Sequence, residues 1–98
     1  MSADRQEFAA AAEASGIDAR AQEILDFERE WWRYAGAKEQ AIREQFDLSP
    51  TRYYQLLNRV IDDEAAVAYD PMLVKRLRRL RAARQRQRAA NRLGADAR

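Results

Sequence analysis

The side chains best suited to chemistry in this chain are ten basic groups among residues 71–98, where a single acidic residue, Asp96, accompanies them. Residues 1–70 have the opposite balance, with eight basic and fifteen acidic side chains. Nine of the ten basic groups are Arg, whose planar guanidinium binds phosphate oxygens in pairs. A segment with this charge must bind an anionic partner or stay solvated, and nucleic acid is the first partner to consider.

The other residue types offer little for catalysis. The chain has no Cys and no His, so disulfides, thiolate metal sites and the usual general base are all missing. Its few hydroxyl nucleophiles, Ser2, Ser15, Ser49 and Thr51, have no such base to activate them. We therefore expect a protein that is not an enzyme and that takes no metal, cofactor or small-molecule substrate.

We expect neither an apolar signal sequence nor a membrane span in this chain. Its first residues include the acids Asp4 and Glu7, and no run approaches the roughly 20 apolar residues that cross a bilayer. We expect a cytoplasmic protein with no membrane partner.

The elements that must position the basic residues are helical. Large apolar side chains recur at spacings of three and four residues, which predicts an all-α fold of one small helical domain. We divide the chain into a flexible acidic and Ala-rich arm (1–17), a helical helix-turn-helix domain (18–80) and a basic C-terminal extension (81–98). The adjacent pair Trp31 and Trp32 is expected to pack in the core.

Capping residues indicate where the helices begin and end. Asp18 predicts the start of the first core helix, and Gly36 predicts its end. After a second helix over 37–46, Ser49 caps a third helix over about 50–62.

Residues 63–70 are interpreted as a connection that can contain a helical turn at 65–67, and Asp70 can cap the last helix. We expect residues 71–80 to dock on the domain, 81–92 to continue as a solvated helix, and 94–96 to be a loose tail. The docking stripe is predicted from four apolar residues: Met72, Leu73, Leu77 and Leu80.

Residues 42–59 follow the pattern of a helix-turn-helix. Ile42 and Phe46, four residues apart, hold the first helix down, and Leu48 points inward from the turn. Asp47 stands where such turns usually have Gly, and Asp tolerates a left-handed backbone better than most residues. The pattern therefore predicts a turn of three residues between two packed helices.

If the second of these helices lies in a DNA groove, its N-terminus and outward side chains make the contacts. Arg can bind guanine, and Gln or Asn can bind adenine. The alternative is that the same side chains are only the exposed face of a small helical domain. The candidate groove contacts are Ser49, Thr51, Arg52, Tyr54, Gln55, Asn58 and Arg59.

The basic helix gives stronger evidence for affinity than the helix-turn-helix does. As a helix, residues 72–92 would extend about 30 Å, close to one turn of duplex DNA, with cations on all sides. This distribution suits phosphate contacts more than base recognition. The alternatives are pairing with acidic helices, of this chain or another copy, and binding to a membrane surface. The candidate phosphate clamp is Lys75, Arg76, Arg78, Arg79, Arg81, Arg84, Arg86 and Arg88.

Four blocks between Ile24 and Leu80 carry a family resemblance: 27–32, 36–39, 51–58 and 70–80. They resemble a small actinobacterial family long labelled only as a domain of unknown function. A mycobacterial member of that family is regarded as a nucleoid-associated DNA-binding protein. The resemblance implies a bacterial DNA binder associated with the chromosome or with regulation, and it assigns no contact residues.

The expected function is therefore binding of double-stranded DNA, largely through phosphates, by a nucleoid-associated protein or transcriptional regulator. Because one helix binds weakly alone, we expect a homodimer or a higher homo-oligomer on the nucleoid. The alternative is a protein-protein interaction module, whose basic helix pairs with an acidic partner or with the transcription machinery.

Overall fold

A computed structural model describes residues 13–31 and 36–96 of the chain. All regular structure in this part of the chain is helical, which confirms the all-α prediction. Its five helices with defined ends are α1 (Ala19–Glu30), α2 (Lys38–Phe46), α3 (Pro50–Ile61), α4 (Glu64–Tyr69) and α5 (Pro71–Asp96).

The predicted caps start three of these helices. The Asp18 carboxylate accepts a hydrogen bond from the backbone N–H of Ala21 at 3.0 Å and begins α1. The Ser49 hydroxyl accepts from the N–H of Arg52 at 3.2 Å and begins α3. The Asp70 carboxylate accepts from the N–H of Leu73 at 3.3 Å and begins α5. These bonds satisfy N–H groups that have no partner inside a helix, so the helix starts follow from local sequence.

The turn between α2 and α3 spans residues 47–49, as the pattern predicts. Asp47 has the left-handed backbone (φ 55°, ψ 39°) and donates its N–H to the carbonyl of Arg43 at 3.0 Å. Leu48 is half-buried and packs against the core. Asp therefore takes the backbone conformation that Gly usually provides in such turns.

Three aromatic rings join α1, α2 and α3 in the core. The centroid of Phe27 lies 5.3 Å from that of Phe46 and 5.7 Å from that of Tyr53, and both contacts are edge-to-face. Ile24, Leu25 and other buried aliphatic residues surround the three rings. The core thus fixes α3 against the two helices that precede it.

The expected connection at 63–70 contains a short helix, α4, whose Ala66 and Tyr69 are buried. The docking stripe of α5 is also different from the prediction. Met72 and Leu80 are 76% and 53% exposed, while Leu73, Val74 and Leu77 are buried. The prediction followed apolar residue types alone, but the angle set by α4 turns the side of Leu73, Val74 and Leu77 toward the core.

α5 is one continuous helix of 26 residues, so the backbone has no break at the predicted boundary between 80 and 81. Residues 94–96 are helical and not a loose tail. Of the N-terminal arm, residues 1–12 lie outside the described part, and Ile17 packs partly against the core. Trp31 is half-buried beside the core, and Trp32 lies outside the described residues.

None of the helices in residues 13–31 and 36–96 combines the length and apolar character that a membrane crossing requires.

Candidate nucleic-acid interface

α5 runs antiparallel along α3. The Nε of Arg78 donates to the carbonyl of Ile61 at 2.6 Å. Three residues later, Arg81 donates to the carbonyl of Asn58 at 3.3 Å. Residue numbers rise on α5 as they fall on α3, so the basic helix follows the outward side of the helix predicted to enter DNA.

Two arginines of the predicted phosphate clamp bind the C-terminal end of α3. Arg78 and Arg81 reach backbone carbonyls that have no partner inside the helix, at the negative end of its dipole. Arg81 also holds Asp62 with both guanidinium NH₂ groups, at 2.7 and 3.1 Å. These two side chains fasten α5 to α3 and are not available to phosphate in this arrangement.

The Arg81–Asp62 pair changes the acidity of both groups. The hydrogen bonds from Arg81 lower the pKa of the Asp62 carboxyl below its ordinary value. The same bonds raise the pKa of Arg81. Because 60% of the Asp62 side chain is exposed, solvent screens much of this attraction, and the pair acts as a positional tie more than as a source of stability.

Beyond this tie, a cleft of about 580 Å³ separates α3 from α5. Its α3 wall presents a hydroxyl, a phenol and two amides, and its α5 wall presents three guanidinium groups. Glu39 is the single carboxylate of the lining. The lining residues are Glu39, Pro50, Thr51, Tyr54, Gln55, Asn58, Arg81, Arg84, Gln85 and Arg88.

The cleft brings together members of both predicted sets. Thr51, Tyr54, Gln55 and Asn58, predicted as groove contacts, line it with Arg81, Arg84 and Arg88 of the predicted clamp. The guanidinium of Arg84 lies 5.8 Å from the ring centroid of Tyr54. The sequence predicted two separate surfaces, and the structure joins four of the seven groove contacts with three of the eight clamp residues.

The other predicted α3 contacts lie outside the cleft. Arg52 and Arg59 are exposed and do not line it, and Arg52 donates to the side-chain carbonyl of Gln55 at 3.4 Å. The Ser49 hydroxyl accepts the capping hydrogen bond of α3.

The two sides of α5 differ in what they contact. Helical spacing places Arg84 and Arg88 on the side of Val74, Leu77 and Arg81, facing α3. The opposite side, which we call the outer face, carries exposed residues: Met72, Lys75, Arg79, Ala83, Arg86, Ala90 and Leu93. Arg76 is exposed at the edge of this face.

We divide α5 into a proximal part (71–81), which holds its buried residues and the tie to α3, and a distal part (82–96). No carboxylate of the described residues lies within the 4.0 Å ion-pair distance of the remaining clamp cations. Those cations are Lys75, Arg76, Arg79, Arg84, Arg86 and Arg88. They keep their charge available to a partner.

A buried carboxylate supports the α3 wall from behind. Glu28 is 4% exposed, accepts a hydrogen bond from the Tyr53 hydroxyl, and accepts another from the Nζ of Lys38 at 3.0 Å. Burial, with the negative charge of Glu28 next, raises the pKa of the Tyr53 phenol far above its ordinary value. Glu28 interrupts the apolar spacing of α1, and that interruption was the available sequence signal for a buried acid.

Lys38 connects this buried cluster to the cleft. Its ammonium lies 5.2 Å from the ring centroids of both Tyr54 and Trp31. Tyr54 also meets Tyr53 edge-to-face, with 5.3 Å between centroids. The aromatic ring on the cleft wall is therefore fixed by the core and is not a loose surface side chain.

A second tyrosine–carboxylate contact holds the start of α5. The Tyr69 hydroxyl donates to Asp26 at 2.5 Å, and Arg29 donates to the same carboxylate. Arg29 Nε also lies 3.9 Å from a carboxylate oxygen of Asp70, the cap of α5. Burial and then the bond to Asp26 raise the pKa of Tyr69. α1 thereby sets the direction in which α5 leaves the domain.

The fold and this surface define a small all-helical protein with a cationic cleft between its third and its last helix. Residues 16–89 match the family described as "Protein of unknown function (DUF3263)", and the chain belongs to that family. The match covers α1 to α4, most of α5 and every residue that lines the cleft. No curated protein matches the chain, and no solved structure does.

Proposed function

We propose that this protein binds double-stranded DNA, largely through its phosphates. The observation that carries the proposal is the set of clamp cations on α5 that have no carboxylate partner among the described residues, beside a cleft with one acid in its lining. Guanidinium groups in this setting bind phosphate oxygens in pairs and release the counterions of the duplex.

Phosphate binding accounts for the arrangement of the cations better than base recognition by α3. The available cations lie on both the cleft side and the outer face of α5, so they can meet phosphates of both strands. Thr51 and Asn58, which could read bases, line the cleft opposite α5. We expect weak sequence preference.

The biological role we propose is that of a nucleoid-associated protein or a transcriptional regulator in the bacterial cytoplasm. The resemblance to the actinobacterial family supports this role. A single α5 covers about 39 Å, little more than one turn of duplex. Tight binding therefore favours a homodimer or a higher homo-oligomer, in which linked helices act together. Light scattering with and without DNA measures this state.

Titration of a duplex at two salt concentrations tests the proposal. With about six phosphates neutralised, affinity falls on the order of 10³-fold between 50 and 200 mM salt. An affinity that is insensitive to salt, or no binding in dilute buffer, contradicts the proposal.

The second candidate function is a protein-protein interaction module, and the Arg81–Asp62 pair favours it because an α5 guanidinium there donates hydrogen bonds to a carboxylate. A triple substitution of Arg84, Arg86 and Arg88 by Gln separates the two functions. Loss of DNA binding with unchanged oligomers supports the first function. Loss of assembly, or of binding to an acidic peptide, supports the second.

A further inference from the structure

We infer that the distal part of α5 lies in the major groove of the duplex, with its outer face toward the base edges. This inference rests on the proposed function and specifies which helix enters the DNA. The helix-turn-helix pattern predicted α3 for that role, and the geometry assigns it to α5.

The outer face has the side chains that a groove-entering helix needs. Arg86 lies between Ala83 and Ala90 on this face, and all three are exposed. Alanine methyl groups let the helix backbone come close to the floor of the groove, and they suit contact with the methyl group of thymine. Arginine beside them reaches base edges or phosphates. None of the residues 82–94 is acidic.

The dimensions of the distal part also match those of the major groove. An α-helix with its side chains is about 10–12 Å wide, and the major groove is about 12 Å wide. Residues 82–96 extend for about 22 Å, and most of their described side chains are exposed. A helix rich in Ala lies at the narrow end of that range of widths.

The cleft side of α5 turns toward the rim of the groove when the outer face meets its floor. A helix in the major groove is bordered on each side by a sugar–phosphate strand. Arg84 and Arg88 are on the cleft side of α5, about 6 Å apart along its axis. Thr51 and Asn58 face them from α3 as neutral hydrogen-bonding groups. From this side, the long side chains of Arg84 and Arg88 extend to the phosphates at the rim of the groove.

α3 cannot enter the groove in the same way. The tie from Arg78 and Arg81 keeps α5 beside α3, and packed helices lie about 8–10 Å apart axis to axis. Two helices side by side exceed the width of one major groove. Because α3 lies on the cleft side of α5, opposite the outer face, it stays outside the groove when that face meets the floor.

A duplex with a blocked major groove tests the inference. The C5 position of pyrimidines faces the major groove, so duplexes in which every cytosine is 5-glucosyloxymethylated fill that groove and keep their phosphates. We expect the full-length protein to bind such a duplex at least 10-fold more weakly than the unmodified duplex. A minor-groove ligand, netropsin, should change the affinity less than 2-fold.

The outcomes separate the inference from the proposed function. Equal affinity for both duplexes, or strong competition by netropsin, overturns the placement in the major groove and leaves DNA binding standing. Failure to bind either duplex overturns both.

A pair of substitutions gives a second measurement. Ala83→Phe with Ala90→Phe adds bulk to the outer face without changing charge, and we expect at least 10-fold weaker binding to the unmodified duplex. Ala68→Phe, at an exposed position of α4, is the matched control and should bind as the parent does. Thermal unfolding by circular dichroism verifies that the variants fold. Unchanged affinity in the folded double variant contradicts the inference.

Discussion

The proximal and distal parts of α5 are both rich in arginine, yet their arginines have different partners. In the proximal part, Arg78 and Arg81 bind the carbonyls and the carboxylate at the end of α3. In the distal part, Arg84 and Arg88 line a cleft, and Arg86 is on the exposed outer face. Residue type therefore does not decide whether an arginine is structural or available to a ligand.

The difference follows from where the apolar side of α5 ends. Val74 and Leu77 are its last large core residues, and the same side continues with Arg81, Arg84 and Arg88. Arg81 meets the C-terminus of α3, which attracts cations. One turn later, Arg84 has an aromatic ring within reach and no carboxylate among the described residues.

The largest expected difference between the proximal and distal parts of α5 is the stability lost when a large apolar side chain is truncated to Ala. Leu77→Ala removes a buried side chain, and we expect it to lower the free energy of unfolding by about 2–4 kcal/mol. Leu93→Ala, in the distal part, removes a side chain that is 70% exposed. It should change the free energy of unfolding by less than about 0.5 kcal/mol. Urea denaturation measures both. Equal losses would show that the distal part also packs on a surface.

Removing charge from the distal part should weaken DNA binding and leave the stability of the fold nearly unchanged. Substituting Arg84, Arg86 and Arg88 by Gln removes three phosphate contacts, so we expect DNA affinity in 0.1 M salt to fall on the order of 100-fold. Stability should change little. Fluorescence anisotropy with a labelled duplex measures the affinity.

The matched control for this charge change is Arg20→Gln with Arg43→Gln, on α1 and α2, which should weaken binding less than 3-fold per charge removed. A loss of the same size per charge in the control would mean that total charge, and not the distal part, sets affinity.

Loss of the hydrogen bond between Tyr53 and Glu28, behind the α3 wall of the cleft, should lower stability by an intermediate amount. Tyr53→Phe removes the hydroxyl that donates to buried Glu28, and we expect a loss of about 1–3 kcal/mol in the free energy of unfolding. The raised pKa of Tyr53 gives a second signature. The folded state holds that proton more tightly, so its contribution to stability is full below about pH 10 and decreases as the pH rises further.

Tyr53→Phe should flatten the alkaline part of that stability profile. Unfolding curves between pH 7 and 11 test it, with the half-buried Tyr54→Phe as the control. A profile that keeps its alkaline decrease in Tyr53→Phe would contradict the assignment.

The smallest expected effect concerns the tie between α3 and α5. Arg81→Gln should return the pKa of Asp62 toward its ordinary value. Because the pKa of the folded state is lowered, the contribution of Asp62 is present above the unfolded pKa and is lost as the pH falls through the folded one. Because the Arg81–Asp62 pair is partly exposed, its contribution to the free energy of unfolding is less than about 1 kcal/mol.

An NMR titration of the Asp62 carboxyl between pH 2 and 6 measures this shift. Arg79→Gln, on the outer face, is the matched control and should leave the titration unchanged. An unshifted Asp62 in Arg81→Gln would mean that the tie is absent in solution.

Much of the fold could be predicted from the sequence because its signals are local. Asp18, Ser49 and Asp70 cap the helices that they were expected to cap, and Asp47 takes the left-handed conformation of the turn. Each of these features depends on a side chain and the backbone within three or four residues. A helical turn was expected at 65–67, but the full extent of α4 was not predicted because six residues give too little apolar spacing to read.

The candidate site was only partly predictable. Residue types alone identified the cations of α5, but they could not show that Arg78 and Arg81 turn toward α3. The side chains of Tyr54, Gln55 and Asn58 were expected to face outward, and they line the cleft that α5 completes.

The sequence by itself determined that the chain is helical, where most helices begin, and that its C-terminal segment is cationic, since each depends on neighbours along the chain. Only the tertiary structure decided which arginines remain available, because that depends on the direction in which α5 leaves the domain. The buried contacts of Tyr69 with Asp26 and of Leu77 with the core set this direction between residues far apart in sequence. No local pattern encodes that angle.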